Sequence, residues 1–480
     1  MLKYINRPRK EQHIMIKYED INILNIDDYD KILEKLPAQF QRNPYQQRWI
    51  DELKSKISLK CTRLWIEYPY YDSEYLSSYY AFYVKKFWDI GKACARIHFF
   101  HEAEDEIIEY MGYITVSPIK HYVNLSKSYL APQLLLEESS FIMLSSFKAN
   151  LCGQQQIVQA FPWMHQQKDF SMCAHIATWS ILKFMSNEHT GYRNVNIGEV
   201  IDSVPEHANR KLPSHGLSLY QIAEIFKQHG ITPVIVQKEK GKEDEFYREM
   251  LCYIESGIPL VASMDAKSHS IAIIGHGKIE TDQLDGMNGL VDNSRLISSL
   301  VGSDDNQLPY LSIPFKKDYS EGVYTAEEID FVIIPLYNRV HQEYKVLYQR
   351  VRLYLETRNL NIDSNCVIRI FLASANSLKS SALEDEEMNE VLKSFIIHLE
   401  MPKLVWCVEI SEYESYKRRK VNARMIIDST ASDGENTPWL LVHDQEKIRY
   451  LDNKEWCEIE EEISEYNMYQ SNLKEVEAWK

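Results

Sequence analysis

The rhythm of hydrophobic and polar positions changes twice along the chain. Up to about residue 150, short runs at 61–71, 95–100 and 110–119 alternate with the period of strands. Between the first two, aromatic and apolar residues recur at helical spacing through 73–94. From about 150 to 335 the pattern predicts a strand (154–163) entering a polar loop (165–171), then a long apolar helix over 172–187. A helix over 216–230 starts at a capping Ser218 and stops at Gly230, and a strand follows at 231–237. An amphipathic helix (243–257) leads into 258–265 and 269–277, which flank a short turn and read as an antiparallel hairpin. A polar loop (280–294) then precedes a strand at 296–302. Beyond 335 the chain predicts a long helix over 336–356, strands at 366–374, 403–411, 423–428 and 439–444, and one helix at 385–399. The acidic run at 455–466 reads as a solvated face. These elements amount to an α+β chain in three units: 1–150, 151–335 and 336–480.

Composition narrows the function. At roughly 150 residues per domain, 480 residues accommodate two or three domains. Only 16 Gly and 16 Pro exclude collagen-like and low-complexity architectures. With 54 Lys+Arg against 70 Asp+Glu, the net charge of −16 argues against a nucleic-acid partner. No apolar run approaches the ~18 residues of a membrane span, and the first twenty residues lack the apolar stretch of a secretory signal. The expectation is a cytoplasmic protein whose eight cysteines, none in a CxxC pair, remain free thiols. No metal and no cofactor are expected: His98 and His101, beside Glu102 and Asp105, lack the HExxH order, and the GHGK at 275–278 lacks the remainder of a phosphate loop.

One cysteine stands apart. Ser171 is placed to cap the 172–187 helix, which puts Cys173 in its first turn, where unpaired N–H groups and the helix dipole favour a thiolate. A thiolate attacking a carbonyl needs oxyanion donors, and the Cys173 N–H and the Gln167 amide can supply two. Among histidines, His175 is turned about 200° away on the helix, and nothing orients His165 in the approach loop. His276 falls at an odd offset on its strand, whereas His269 begins that strand and has a fixed backbone. The residue that holds the imidazole should follow the next strand, as Asp304 does. Asp305 and Asp292 are the alternatives.

Gln167, Cys173 opening a hydrophobic helix, His269 starting a strand and an Asp after the next strand together resemble the papain-like cysteine peptidase superfamily. In detail the 150–335 region is similar to bacterial domains of the double-glycine leader peptidase type. The resemblance implies a papain-like fold with Cys173 as nucleophile, His269 as general base, Asp304 as orienter and Gln167 as oxyanion donor. The implied activity is hydrolysis of a peptide or isopeptide bond of a peptide or protein substrate through an acyl-enzyme. An acyltransferase or deamidase, or a non-catalytic peptide- or protein-binding module, would use the same scaffold. The sequence departs from the pattern at Ala174, where a Gly commonly follows the Cys, and at Asp304-Asp305-Asn306, where many relatives have a single Asp-Pro. The resemblance supplies no activity for the flanking units, and no feature of the chain indicates an oligomeric state.

Overall fold

Three sheets organise the chain in the computed structural model, which describes residues 16–479 apart from 41–42, 103–107, 206–210, 316–323, 359, 361, 433–437 and 453–454. Helix (32%) and strand (33%) contribute equally, and helices and strands are interspersed along the chain, so the class is α+β. Residues 1–15, including most of the segment read as lacking a secretory signal, lie outside the described residues. No helix among the described residues is long and apolar enough to cross a membrane.

The first sheet is fully antiparallel, in the order Lys17–Asn22, Arg63–Tyr70, Cys94–Glu102, Ile108–Val116 and Tyr129–Leu130. The helix expected over 73–94 is shorter than its periodicity suggests. Asp72 caps it by accepting the Tyr75 N–H at 2.9 Å, and it ends at Ala81. At Phe82 the backbone leaves the helical region, and a single tight turn, Tyr83–Lys85, follows. That break carries Tyr83 into the interior towards the middle unit instead of continuing a surface helix.

The middle sheet runs Leu311–Pro314, Ser299–Ser303, His269–His276 (the His strand), Leu260–Met264, Phe331–Tyr337, Ile231–Gln237. Leu260–Met264 and His269–Ile273 form the expected hairpin. Its turn ends at Ser268, whose φ of +48° is left-handed. Seven of the eight residues of the His strand are buried, because the helix Cys173–Glu188 (the Cys helix) packs against it. Ser218 caps Leu219–Gln228 as expected, accepting the Gln221 N–H.

The third sheet has seven strands, from Val291–Asp292 through Cys366–Ser374, Leu404–Glu412, Ala423–Asp428, Trp439–His443 and Lys447–Asp452 to Glu455–Glu460. The helix expected from 336 begins at Tyr344, because Leu336 and Tyr337 still pair with Thr232 and Ile231 in the middle sheet. The helix expected at 385–399 forms as Glu390–His398, capped by Asn389, and a second helix absent from the pattern, Ala375–Glu384, precedes it, capped by Ser374. Part of the acidic run forms the edge strand Glu455–Glu460, where Glu458 pairs across to Lys447 and Arg449.

Short strands cross the limits drawn from the sequence. Ser140–Ile142 and Lys474–Val476 both join the middle sheet: Ser140–Ile142 pairs with the His strand at Gly275 and His276, and Lys474–Val476 pairs with Ser140–Ile142. Gly275 is needed there, since a Cβ would sit 2.1 Å from the Phe141 carbonyl oxygen. Val291–Asp292 instead joins the third sheet, parallel to Val367–Ile368. Strands of two or three residues show no periodicity, so pattern changes do not reveal them. The first unit is also fastened to the Cys helix. Fully buried Glu74 accepts from Trp179 Nε1 (3.1 Å), Lys183 Nζ (3.0 Å) and the Ile197 N–H (2.8 Å).

Candidate active site at the start of the Cys helix

The loop before the Cys helix is stitched to the turn after Ser299–Ser303. Trp163 Nε1 donates to the Asp304 carbonyl at 2.6 Å, the Gln166 N–H to the Asp305 carbonyl at 3.3 Å, and Gln166 Nε2 to Asn306 Oδ1 at 2.6 Å. These bonds fix where Cys173 lies relative to residues 304–306. Between Gln167 and Ser171 the chain makes a tight turn closed by Phe170 N–H donating to the Gln167 carbonyl at 2.7 Å.

Ser171 is not the helix cap. Its hydroxyl accepts the Gln167 N–H at 3.3 Å inside that turn, which takes it away from the helix. Met172, in extended conformation, occupies the cap position, and Cys173 is the first helical residue. The Met172 N–H donates to His175 Nδ1 at 3.4 Å, so His175 closes the helix start. Burial holds His175 down at about 4 and, with smaller contributions from its neighbours, His165 at about 4 as well, so neither is basic near neutrality.

His269 stands opposite Cys173. Its Nε2–H donates to Asp304 Oδ1 at 2.9 Å, and the Cys173 thiol is near enough to the ring to influence its protonation. The ring stacks on Tyr324 (centroids 5.6 Å apart, 28° between planes). Asp304 is fully buried, and its carboxylate accepts four hydrogen bonds. Oδ1 takes His269 and the Asn306 N–H (3.1 Å), and Oδ2 takes Gln307 Nε2 (3.1 Å) and the Tyr324 hydroxyl (3.0 Å). Burial alone would lower the His269 imidazole, but its hydrogen bonds to Asp304 and Cys173 outweigh that and push it up to about 10. Burial would likewise raise Asp304, yet His269 and the Asn306 N–H hold it at about 2. At neutral pH the pair is therefore imidazolium and carboxylate, beside Cys173 in the first turn of the Cys helix.

Gln167 is buried, and its Oε1 accepts the Tyr83 hydroxyl at 3.2 Å, which turns the amide N–H2 away from Tyr83 as a donor. The first unit also clamps the turn at Asp169, through Tyr122 Oη (2.8 Å) and Lys86 Nζ (3.4 Å). Tyr83, Gln307 and Tyr324 support the site without any sequence signal, because a hydroxyl or amide donor is recognised only once the fold brings it to its acceptor.

The alternatives for the third residue separate clearly. Asp305 Oδ1 is 3.8 Å from His269 Nε2, beyond hydrogen-bonding distance. Asp292 lies on the third sheet, accepting the Ser294 N–H and facing Arg248, apart from His269. His276 contacts Glu255 (3.2 Å) and the Gly277 carbonyl (2.7 Å), at the far end of its strand. A cavity of about 550 Å³ opens there, bordered by Phe141, Glu255, His276, Arg369 and Arg419. Glu255 is ion-paired to Arg369 at 2.7 Å, so the buried charges of that cavity satisfy one another and offer no reactive group. His98 is held by Tyr110 and Glu67, and His101 by the Lys60 carbonyl; Asp105 lies outside the described residues. His269, Asp304 and Asp305 are the one group among the described residues whose ligand atoms converge, within 4.8 Å. A metal ion there would have to displace the His269–Asp304 bond and compete with three further donors to Asp304, so the donor set does not fit one.

Comparisons with protein-family models, curated proteins and solved structures give no match.

Proposed function

We propose that this chain is a thiol hydrolase of papain-like type that cleaves a peptide or isopeptide bond through an acyl-enzyme on Cys173. The observation that carries the reading is one alignment: Cys173 at the first turn of a buried helix, His269 near it, and Asp304 hydrogen-bonded to the His269 Nε2–H. Cys173 Sγ attacks the substrate carbonyl carbon, and the oxyanion is held by the Cys173 N–H and Gln167. The imidazolium gives its proton to the departing amine. Water, losing a proton to the imidazole, then attacks the thioester carbonyl and releases the acid, while the imidazolium returns its proton to the departing Cys173 sulfur. Asp304 keeps the ring oriented throughout and stabilises its charged form. An amine in place of that water would make the same residues a transferase.

Limiting iodoacetamide near neutral pH tests the reading. Cys173 is expected to be labelled well before Cys152, which is more exposed, and His269→Ala is expected to slow Cys173 at least tenfold. Labelling of Cys173 no faster than that of Cys152 overturns it. Peptide-library turnover, compared with Cys173→Ala, then separates hydrolysis from transfer.

A further inference from the structure

Three segments meet at the turn that leads from Gln167 into the Cys helix. Residues 83–89 of the first unit reach it through Tyr83, on Gln167, and through Lys86, which pairs with Asp169 at 3.4 Å. Residues 120–122 reach it through the Tyr122 hydroxyl on Asp169, while His121 stacks on Trp88 with ring centroids 4.2 Å apart. With the turn itself, 167–171, these segments hold four lysines against two aspartates, in a chain whose net charge is −16. Lys86 is occupied by Asp169 and lies over the Trp88 ring, 5.0 Å from its centroid. Lys85, Lys120 and Lys168, by contrast, form no ion pair among the described residues. In the same stretch Phe87 is wholly exposed and Val84 half exposed, and Trp88 is partly uncovered. Single exposed apolar side chains are ordinary. Two of them three residues apart, next to a half-open Trp and flanked by unpaired lysines, mark an interaction surface.

We propose that this surface recognises the substrate, and that the substrate presents an acidic segment carrying aromatic or large aliphatic side chains. Its carboxylates pair with Lys85, Lys120 and Lys168, and its apolar side chains cover Val84, Phe87 and the open part of Trp88. Charge draws such a segment to the patch, while the acidic remainder of the molecule repels it from other landing places. An anionic membrane fits less well, because a flat sheet of negative charge would meet the surrounding acidic surface together with the patch. The inference rests on the reading of Cys173 as nucleophile, since the attachment of the patch to the Gln167 turn makes the bound segment the one presented to the thiol.

Binding is measured by fluorescence anisotropy on the full chain carrying Cys173→Ala, which removes turnover. The probes are two short labelled peptides with the same Phe and Leu residues, one with Glu and Asp between them and the other with Lys. The acidic peptide is expected to bind at least tenfold tighter than the basic one, by a margin that shrinks as salt is raised. Phe87→Ser is expected to weaken it at least tenfold. Lys85→Glu is expected to weaken it at least threefold and to strengthen the basic peptide. Both replace exposed side chains, so the core is untouched. Leu353→Ser, which removes an exposed apolar side chain from Tyr344–Thr357 of the third unit, is expected to change neither affinity. Equal affinity for the two peptides, binding of neither at millimolar concentration, or equal weakening by Phe87→Ser and Leu353→Ser overturns the proposal. So does binding to phosphatidylserine vesicles that Phe87→Ser abolishes while the acidic peptide stays unbound. If the acidic peptide binds as expected but Cys173 of the unmodified chain is labelled no faster than Cys152, the hydrolase reading fails and the patch stands as a peptide-binding site. Fast Cys173 labelling without peptide selectivity keeps the hydrolase and removes the patch.

Discussion

Asparagine at position 304 separates the charge of the orienting carboxylate from its shape. Four donors converge on Asp304. In Asp304→Asn the amide oxygen still serves His269 and the Asn306 N–H, while the new N–H2 faces Tyr324 and Gln307. Those two can adapt, since a hydroxyl rotates to accept and the Gln307 amide can flip to present its oxygen. What cannot be repaired is the charge opposite the imidazolium. Removing one partner of a buried ion pair costs about 3–5 kcal/mol. With the His269 side chain 11% exposed, the lower figure applies, and ~3 kcal/mol corresponds to roughly a hundredfold. There is a floor as well: an ordinary thiol with a pKa of about 8.5 is ~0.3% ionised at pH 6, so the loss cannot exceed about 300-fold. Alkylation of Cys173 in Asp304→Asn is therefore expected to fall about a hundredfold at pH 6 and to recover to within a few-fold at pH 9, where any thiol ionises. Timed iodoacetamide labelling read by mass spectrometry, with Cys152 as internal reference, measures both. A rate within threefold of the unmodified protein at pH 6, or an equal loss at pH 9, would refute the reasoning.

Gln167→Ala is expected to lower peptide turnover by about 10²–10³ while leaving Cys173 alkylation within threefold, because an oxyanion donor acts after the thiolate has formed. Tyr83→Phe, which frees the Gln167 amide, should lose turnover in the same direction but by less; equal loss in both assays would remove Gln167 from the oxyanion role. The raised His269 contributes stability that is complete below about pH 6.5 and disappears as pH rises through about 10. The lowered Asp304 contributes stability that is complete above about pH 4 and disappears as pH falls towards about 2. Between pH 5.5 and 9.5 the urea midpoint of the unmodified protein should thus fall more than that of His269→Ala, and parallel pH profiles would show that the pair is not formed. Glu74→Gln leaves Lys183 buried opposite a neutral amide and should cost about 3–5 kcal/mol, seen as earlier urea unfolding and faster proteolysis of the first unit; a loss under 1 kcal/mol would show that Glu74 does not hold the units together.

What the sequence revealed depended on how local each signal was. Cys173, His269 and Asp304 each stand at the boundary of a strongly patterned element, so their order and their places at element ends were readable. Ser218 capped its helix because no other group claimed its hydroxyl, whereas Ser171 failed as a cap because Gln167, four residues earlier, did. Aromatic spacing continued through Tyr83 although the helix had ended, since burial in a turn and burial on a helix face leave the same mark. Chain order alone, with Asp304 the first acid after the strand, favoured it over Asp305. The structural reason depends on which carboxylate meets Tyr324, twenty residues on, and Gln307, three residues on, and neither distance follows from the pattern.

Ser140–Ile142 bonds along one edge to the His strand and along the other to Lys474–Val476. On the ribosome these partners emerge far apart in time. The Cys helix, the His strand and Asp304 are all synthesised by the time Ser299–Ser303 has emerged, some 170 residues before Lys474. At ~5–20 residues per second that gap is on the order of ten to thirty seconds. During it the thiol and its imidazole can already meet while the outer edge of Ser140–Ile142 is open, the kind of edge that pairs with a neighbouring nascent chain. The nascent protein therefore passes through an interval in which Cys173 and His269 can meet before the middle sheet is closed, and crowded polysomes are where that interval exposes it to mispairing.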